Sequence, residues 1–161
     1  MNLERQLCFA LYSASRAMTG IYRPLLNPLG LTYPQYLVMM VLWQQDNLTL
    51  SDLGEHLKLD SGTLTPLLKR LEGSGFLRRE RDADDERKVR VTLTPEGVSL
   101  RNQAQGVPGL AAATTGHELT ELDDLTKRVT RLRNSIAENL KSQITKHHIN
   151  PDQRSKHANT F

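Results

Sequence analysis

The sequence predicts a mainly α-helical chain carrying one small β-hairpin. Three observations predict it. Helical apolar spacing occupies both ends of the chain, two short capped segments lie between them, and a basic stretch with β-type alternation follows directly. With 161 residues the chain has room for one compact domain or two small lobes sharing a core. Its 38% hydrophobic and 24% charged residues are those of an ordinary globular protein. No apolar run approaches the roughly 20 residues of a membrane span, and the N-terminus lacks the basic start and cleavable apolar block of a secretory signal. A single cysteine excludes an internal disulfide framework and fits a reducing, cytoplasmic setting. The net charge of +3 is small, so the placement of the basic residues matters more than their sum.

The first helix is expected from about Leu3 to Leu25, with apolar positions Leu3, Leu7, Ala10, Ala14, Ala17, Ile21 and Leu25. Pro24, Pro28 and Gly30 break that pattern. Thr32 and Gln35 form a capping-box pair, Pro34 suits a first turn, and LVMMVLW fills the second helix. Thr49 and Asp52 cap a short helix, SDLGEHL, and LDSG turns the chain into TLTPLLKRLEGSGF. In that helix Leu64, Leu67, Leu68 and Leu71 share a face, Pro66 is expected near the first turn, and Gly73 or Gly75 is the stop. LRRER and KVRVTL then read as a hairpin around DADDER, with Val89, Val91 and Leu93 on one side and Lys88, Arg90 and Thr92 on the other. Thr94, Pro95 and Glu96 open another helix. VPGLAAATTG reads as a flexible connection. A long last helix opens at Thr120 and carries Leu122, Leu125, Val129, Leu132, Ile136, Leu140 and Ile144. Residues 150–161 read as a polar tail.

Helix, turn, helix and basic hairpin make a winged helix-turn-helix, in which the second helix enters the major groove of double-stranded DNA. Ser61, Thr63, Thr65, Lys69 and Arg70 are expected on its exposed face, with Pro66 and the small hydroxyls allowing close approach to base edges. The hairpin carries Arg78, Arg79, Arg81, Arg87, Lys88 and Arg90. Arg87 at the tip is the candidate for the minor groove, and Asp85 is placed to hold its guanidinium as a bidentate pair. Asp82, Asp84 and Glu86 are expected either to face away from phosphate or to offset part of the attraction.

The stretch from Thr49 to Gly97, and DERKVRVTLTPEG above all, resembles the MarR family of dimeric winged-helix repressors. LCFALYSASRAMTGIYRPLLNPLGLTYPQYL narrows the resemblance to its organic-hydroperoxide-sensing OhrR branch. That resemblance implies a homodimer built through the terminal helices, with residues 1–30 and 107–149 for dimerisation and 31–106 for DNA binding. It implies a reactive cysteine at Cys8 and partner tyrosines at Tyr22 and Tyr33. The absence of a second cysteine matches the one-cysteine type, whose oxidised thiol is capped by a low-molecular-weight thiol. No cofactor is implied.

A hydroperoxide is attacked by a thiolate, giving sulfenic acid and an alcohol. A free thiol ionises near pH 8.5, so a sensor needs groups that favour the anion. A helix start, Arg5 one turn earlier and phenol donors are available for that role. Tyr22 lies 14 residues after Cys8, about 21 Å along a straight helix. Unless the helix breaks it cannot reach its own Cys8, but a partner whose first helix runs antiparallel would bring its Cys8 within reach, a contact that a twofold dimer supplies twice. Tyr12, one turn from Cys8, is the phenol near it by local geometry, while Tyr36 is expected in the core. His56, His117, His147, His148 and His157 have no partners at metal-ligand spacing and read as surface residues. The reading is therefore a redox-sensing repressor rather than an enzyme. Its rivals are a regulator released by a phenolic ligand without thiol chemistry, a thiol peroxidase, and a nonspecific architectural DNA binder.

Overall fold

The computed structural model describes residues 2–149, the side chains of 144–149 excepted. The tail expected at 150–161, with His157, lies outside the described residues, as do the side chains of Ile144, His147 and His148. The chain forms two compact units, one ending at Gly116 and one beginning at His117. In the first, a short 3-10 helix at Leu3–Arg5 precedes α1 (Leu7–Leu26), followed by α2 (Tyr33–Gln44), β1 (Leu48–Thr49), α3 (Leu50–Leu57) and α4 (Ser61–Gly73). Strands β2 (Leu77–Arg81) and β3 (Val89–Leu93) lead to α5 (Pro95–Ala104) and α6 (Val107–Thr114). The second unit contains α7 (Leu119–Ile149). The expected mainly α fold with a small β wing is what forms. Among the described residues, no helix is long and apolar enough to cross a membrane.

The cap signals act where they were read. Thr32 and Gln35 close a capping box on α2, and Thr49 and Asp52 close one on α3. Helix α4 starts at Ser61, because Asp60 accepts from the Thr63 N–H at 2.8 Å and caps it. That early start places Pro66 in the second turn, not near the first as expected. Its ring is exposed, and the bond it forfeits is the one to the Gly62 carbonyl. The helix ends in a Schellman motif: Gly75 N–H reaches the Glu72 carbonyl at 2.9 Å and Phe76 N–H the Leu71 carbonyl at 3.0 Å. Gly75 adopts φ +78°, so it is the stop, and Gly73 is the last helical residue.

Other expectations are corrected. The first helix is not continuous from Leu3: Gln6 is extended, with ψ 119°, so α1 begins at Leu7. Helix α1 also holds Pro24, whose lost N–H falls in its last turn. VPGLAAATTG is not a flexible connection but helix α6, which takes Pro108 into its first turn and buries Val107 and Ala111 against α1. Helix α7 begins at Leu119, before the Thr120 expected to cap it, with Leu122 N–H bonded to the Glu118 carbonyl at 3.1 Å. The wing also gains a third strand. The antiparallel order is β1-β3-β2, with Leu48 opposite Val91 on one side and Arg79 opposite Val91 on the other.

The core of the first unit is apolar: Leu26, Val38, Met39, Leu42, Leu53, Leu64, Leu68, Leu71, Leu77 and Val91 are fully buried. Each such side chain contributes roughly 1.5–3 kcal/mol. A polar junction closes it beneath the wing. The Thr94 hydroxyl donates to the Gly75 carbonyl at 2.6 Å and accepts from Gly97 N–H at 3.0 Å. The Trp43 indole N–H donates to the Gly97 carbonyl at 2.8 Å. Here Gly97 presses on the Phe76 carbonyl so closely that an added Cβ would sit 1.9 Å from its oxygen. In α7, Leu119, Leu125, Val129, Ile136 and Leu140 form an exposed apolar stripe beside the Asp123–Lys127 pair at 2.6 Å.

Gly97→Ala is expected to destabilise the protein by roughly 3 kcal/mol, the upper end of overpacking, since backbone blocks the new methyl. Gly109→Ala in α6, where an added Cβ meets nothing within 4 Å, is the matched control and should not lower stability. Thermal unfolding of the two variants against the parent checks both outcomes.

Candidate functional site

On α4, Ser61, Thr63, Pro66, Lys69 and Arg70 are exposed and Thr65 is half-buried, while Leu64, Leu68 and Leu71 hold the opposite face in the core. The hydroxyl protons are already placed. Thr63 donates to Asp60 at 2.9 Å and Thr65 to the Ser61 carbonyl at 2.7 Å. Their lone pairs are thereby left to accept, the polarity that suits the amino groups of adenine or cytosine.

The wing is braced at three points. Arg79 does not project freely: its N–H and Nε bond to Glu72 at the end of α4, at 2.9 Å each, and Nη2 reaches Oε2 at 2.5 Å. Its guanidinium therefore ties β2 to the helix, so a direct phosphate contact would require breaking that pair. The Asp82 side chain is 4% exposed, accepts from the N–H groups of Asp84 and Asp85 and pairs with Arg90 Nε. Arg90 also donates to the Asn47 carbonyl at 3.0 Å, joining the wing to the loop before β1. Asp46 accepts from Leu93 N–H at 2.9 Å in the same loop.

At the tip, the Arg87 side chain is 92% exposed. Asp85 does hold it, but not by the expected two-oxygen fork. Arg87 N–H and Nε both bond to Oδ1, at 3.2 and 3.1 Å, and Lys88 Nζ lies 3.6 Å from Oδ2. Several acids stay ionised through these contacts. Bonding to Arg79 lowers Glu72, the Asp84 N–H lowers Asp82, and bonding to Arg87 lowers Asp85. Arg78, Arg81 and Lys88 are exposed on the wing surface.

Cys8, with Tyr12 one turn after it, lies at the start of α1, whereas Tyr22 lies toward its other end beside Tyr33 and Tyr36 of α2. Cys8 is the second residue of the helix and is exposed, and Gln6 supplies no capping side chain. The first-turn N–H groups thus lack an intrahelical acceptor. Tyr12 is exposed, and its hydroxyl accepts from Arg16 at 3.0 Å with that guanidinium 5.7 Å from the ring centre. Tyr22 and Tyr33 are brought together, ring centres 4.7 Å apart, with Tyr36 6.1 Å from Tyr22 and edge-on to Trp43. Burial, then Tyr22, raises the Tyr33 phenol above its ordinary value near 10; burial likewise raises Tyr36. Both remain hydroxyl donors at neutral pH. Because α1 runs unbroken from Leu7 to Leu26, Cys8 and Tyr22 of one chain are separated by about 21 Å of helix.

A MarR family model matches residues 31–89. Over 125 residues the chain is 48% identical to the organic hydroperoxide resistance transcriptional regulator of Bacillus subtilis, covering 76% of this chain and 85% of that one. The chain belongs to the MarR family. Among solved structures, this MarR-family chain superposes on reduced AbfR bound to DNA with a TM-score of 0.74, at 38% identity, over 86% of its length and 94% of AbfR. Disulfide-formed AbfR aligns with a TM-score of 0.57, at 37% identity, over 86% and 92%. AbfR is a Staphylococcus epidermidis protein.

Sequence reasoning missed Glu72, Asp46 and Asn47 as supports of the MarR wing. Asn47, with φ 59°, was the findable one, since an Asp-Asn pair before a strand marks a left-handed turn. Glu72 carries no local signal, because its partner is set by how β2 folds back on α4.

Carboxyls held below their unfolded values contribute stability that is complete above about pH 4 and is lost as pH falls through the folded values. Thermal unfolding temperature should therefore drop steeply between about pH 4 and pH 2. Asp82→Asn should unfold at a lower temperature at pH 7 and lose less on acidification. An equal pH slope in the variant would exclude Asp82 as a contributor.

Proposed function

We propose that the chain is a homodimeric transcriptional repressor that holds operator DNA while Cys8 is reduced and releases it after an organic hydroperoxide oxidises that thiol. It acts as a stoichiometric sensor in the cytoplasm, not as an enzyme. The carrying observation is the Tyr22–Tyr33 pair, assembled at 4.7 Å near the far end of a rigid helix from the lone exposed thiol. Antiparallel pairing of two first helices about a twofold axis brings each Cys8 to the phenols of the other subunit. The exposed apolar positions Leu3 and Leu7, and the stripe on α7, supply surface for such pairing. The B. subtilis relative, a regulator of organic hydroperoxide resistance, and the DNA-bound reduced form of AbfR support the same reading.

The chemistry follows from the placement. The Cys8 thiolate attacks the distal oxygen of the hydroperoxide, the O–O bond breaks, and an alcohol leaves as Cys8 becomes sulfenic acid. The protonated Tyr33 phenol donates to the sulfur in the reduced dimer. A small thiol then caps the sulfenic acid as a mixed disulfide. Added bulk between subunits displaces the phenols and changes the spacing of the two reading heads. DNA is released because the modified form favours a spacing that the operator does not match. On DNA, the α4 face with Ser61, Thr63, Thr65, Pro66, Lys69 and Arg70 reads the major groove, and Arg87, oriented by Asp85, enters the minor groove with Lys88 beside it.

Cys8→Ser should bind operator with parental affinity and stay bound when cumene hydroperoxide is added, as followed by gel shift. Release of that variant by peroxide would sink the redox reading. Release of the parent by a phenolic ligand in excess reductant would favour the thiol-independent rival. Arg87→Ala should weaken operator binding and make log K fall less steeply with log salt, by about 0.9 for each phosphate that the guanidinium no longer neutralises. An unchanged slope would remove Arg87 from the interface.

A further inference from the structure

The first turn of α4 holds a polar arrangement that helix capping does not account for. One oxygen is enough to cap, and Asp60 Oδ1 accepts from the Thr63 N–H at 2.8 Å. The other oxygen, Oδ2, lies 2.9 Å from the Thr63 hydroxyl. A carboxylate has no proton to give, so the hydroxyl donates its only one to it. The Thr63 N–H, then its hydroxyl, hold the Asp60 carboxyl below its ordinary value, so it stays an acceptor at neutral pH. Asp60, Thr63 and the Gly62 between them are all exposed. A Cβ on Gly62 would stand 3.1 Å from Oδ1, so glycine leaves the carboxylate uncrowded. Thr65 differs. Its hydroxyl donates to the Ser61 carbonyl at 2.7 Å, a bond to its own helix backbone that threonine makes in many helices. At Thr63, by contrast, another side chain decides where the proton goes.

We infer that Asp60 is a positioning residue that sets the base preference of α4: by taking the Thr63 proton it makes Thr63 an acceptor for the exocyclic amine of one adenine or cytosine in the operator. The inference rests on the operator-binding reading above. In the major groove adenine and cytosine present N6 and N4 amines, where guanine and thymine present oxygens. An oxygen held as acceptor bonds the first pair and meets lone pairs on the second. Asparagine at position 60 reverses this. Its Oδ1 still has to face the Thr63 N–H to cap the helix, which turns Nδ2 toward the Thr63 oxygen. The amide then donates, the hydroxyl proton is released outward, and Thr63 becomes a donor to a keto oxygen.

The test compares the full-length parent with Asp60→Asn, Thr63→Val, Thr63→Ser and the Asp60→Asn/Thr63→Val double variant, all in excess reductant. The parent first selects its operator from a randomised duplex library. Each position of that operator is then exchanged between amine and keto bases, adenine against guanine and cytosine against uracil, and affinities are read by gel shift. Thr63→Val should flatten the preference at one position of each half-site and so locate the contact. There the parent should favour the amine-bearing base at least about fivefold, the low end of base-edge discrimination. Asp60→Asn should bring that ratio to one or below, and Thr63→Ser, which keeps the hydroxyl, should retain it. In the Thr63→Val background the change at Asp60 should leave the ratio unmoved. Removing the carboxylate charge strengthens binding to every duplex alike and cancels in the ratio. Three results overturn the inference while leaving operator binding intact: no position that depends on Thr63, a parent that favours the keto base there, or a ratio that Asp60→Asn leaves unchanged or shifts equally without the Thr63 hydroxyl. A parent that selects no sequence overturns both.

Discussion

An α-helix keeps residues fourteen apart at a fixed distance, and α1 is unbroken between Cys8 and Tyr22. That rigidity governs everything proposed for the sensing end of the molecule. Flexible chain between them would let the thiol fold back onto its own phenols and make a site within one subunit. The helix forbids it. Pro24, the residue best able to bend α1, lies beyond Tyr22 and so cannot relieve the separation. Tyr22, Tyr33 and Tyr36 instead gather around the beginning of α2, where Tyr33 is the first helical residue and Tyr36 is buried.

The reading end depends on a different kind of rigidity. A two-stranded hairpin is marginal by itself. Here it is clamped to the body by Glu72–Arg79, by Asp82–Arg90 with the Asn47 carbonyl, and by the junction of Thr94 and Gly97 under Phe76. Each clamp joins the wing to a different neighbour: the end of α4, the loop before β1, and the start of α5. The orientation of Arg87 relative to the α4 face therefore follows from buried or half-buried polar contacts. Lys69 and Arg70 lie exposed on α4, and Arg87 and Lys88 lie exposed at the wing tip, where their shared partner is Asp85 of the tip itself and not a residue of the body.

Much of this was legible in the residues. Both capping boxes, the leucine face of α4 and the Val89–Val91–Leu93 alternation announce elements that form where expected, because each signal is local. The Thr94-Pro95-Glu96-Gly97 string announces a helix start, but the reason for Gly97 lies with Phe76, twenty-one residues earlier in the chain. The misread segments have a common cause. Leu3 to Gln6 fits the helical stripe yet is broken by an extended Gln6, and VPGLAAATTG looks weak until α1 offers a surface against which Val107 and Ala111 are buried.

The capped helices, the hairpin, the winged layout, the lone thiol and the family to which the chain belongs can be read from the order of the residues, since periodicity, caps and motif spacing are properties of near neighbours; α6 and β1 cannot, because each forms against a partner distant in sequence. Which charges are committed and which are free is settled only once the chain has folded. Arg79 and Arg87 both read from the sequence as wing cations available to DNA. Folding β2 back onto α4 gives the first a carboxylate of the body and leaves the second at the exposed tip beside Asp85, because strand alternation turns Arg79 toward Glu72 while the tip carries Arg87 beyond the reach of the body.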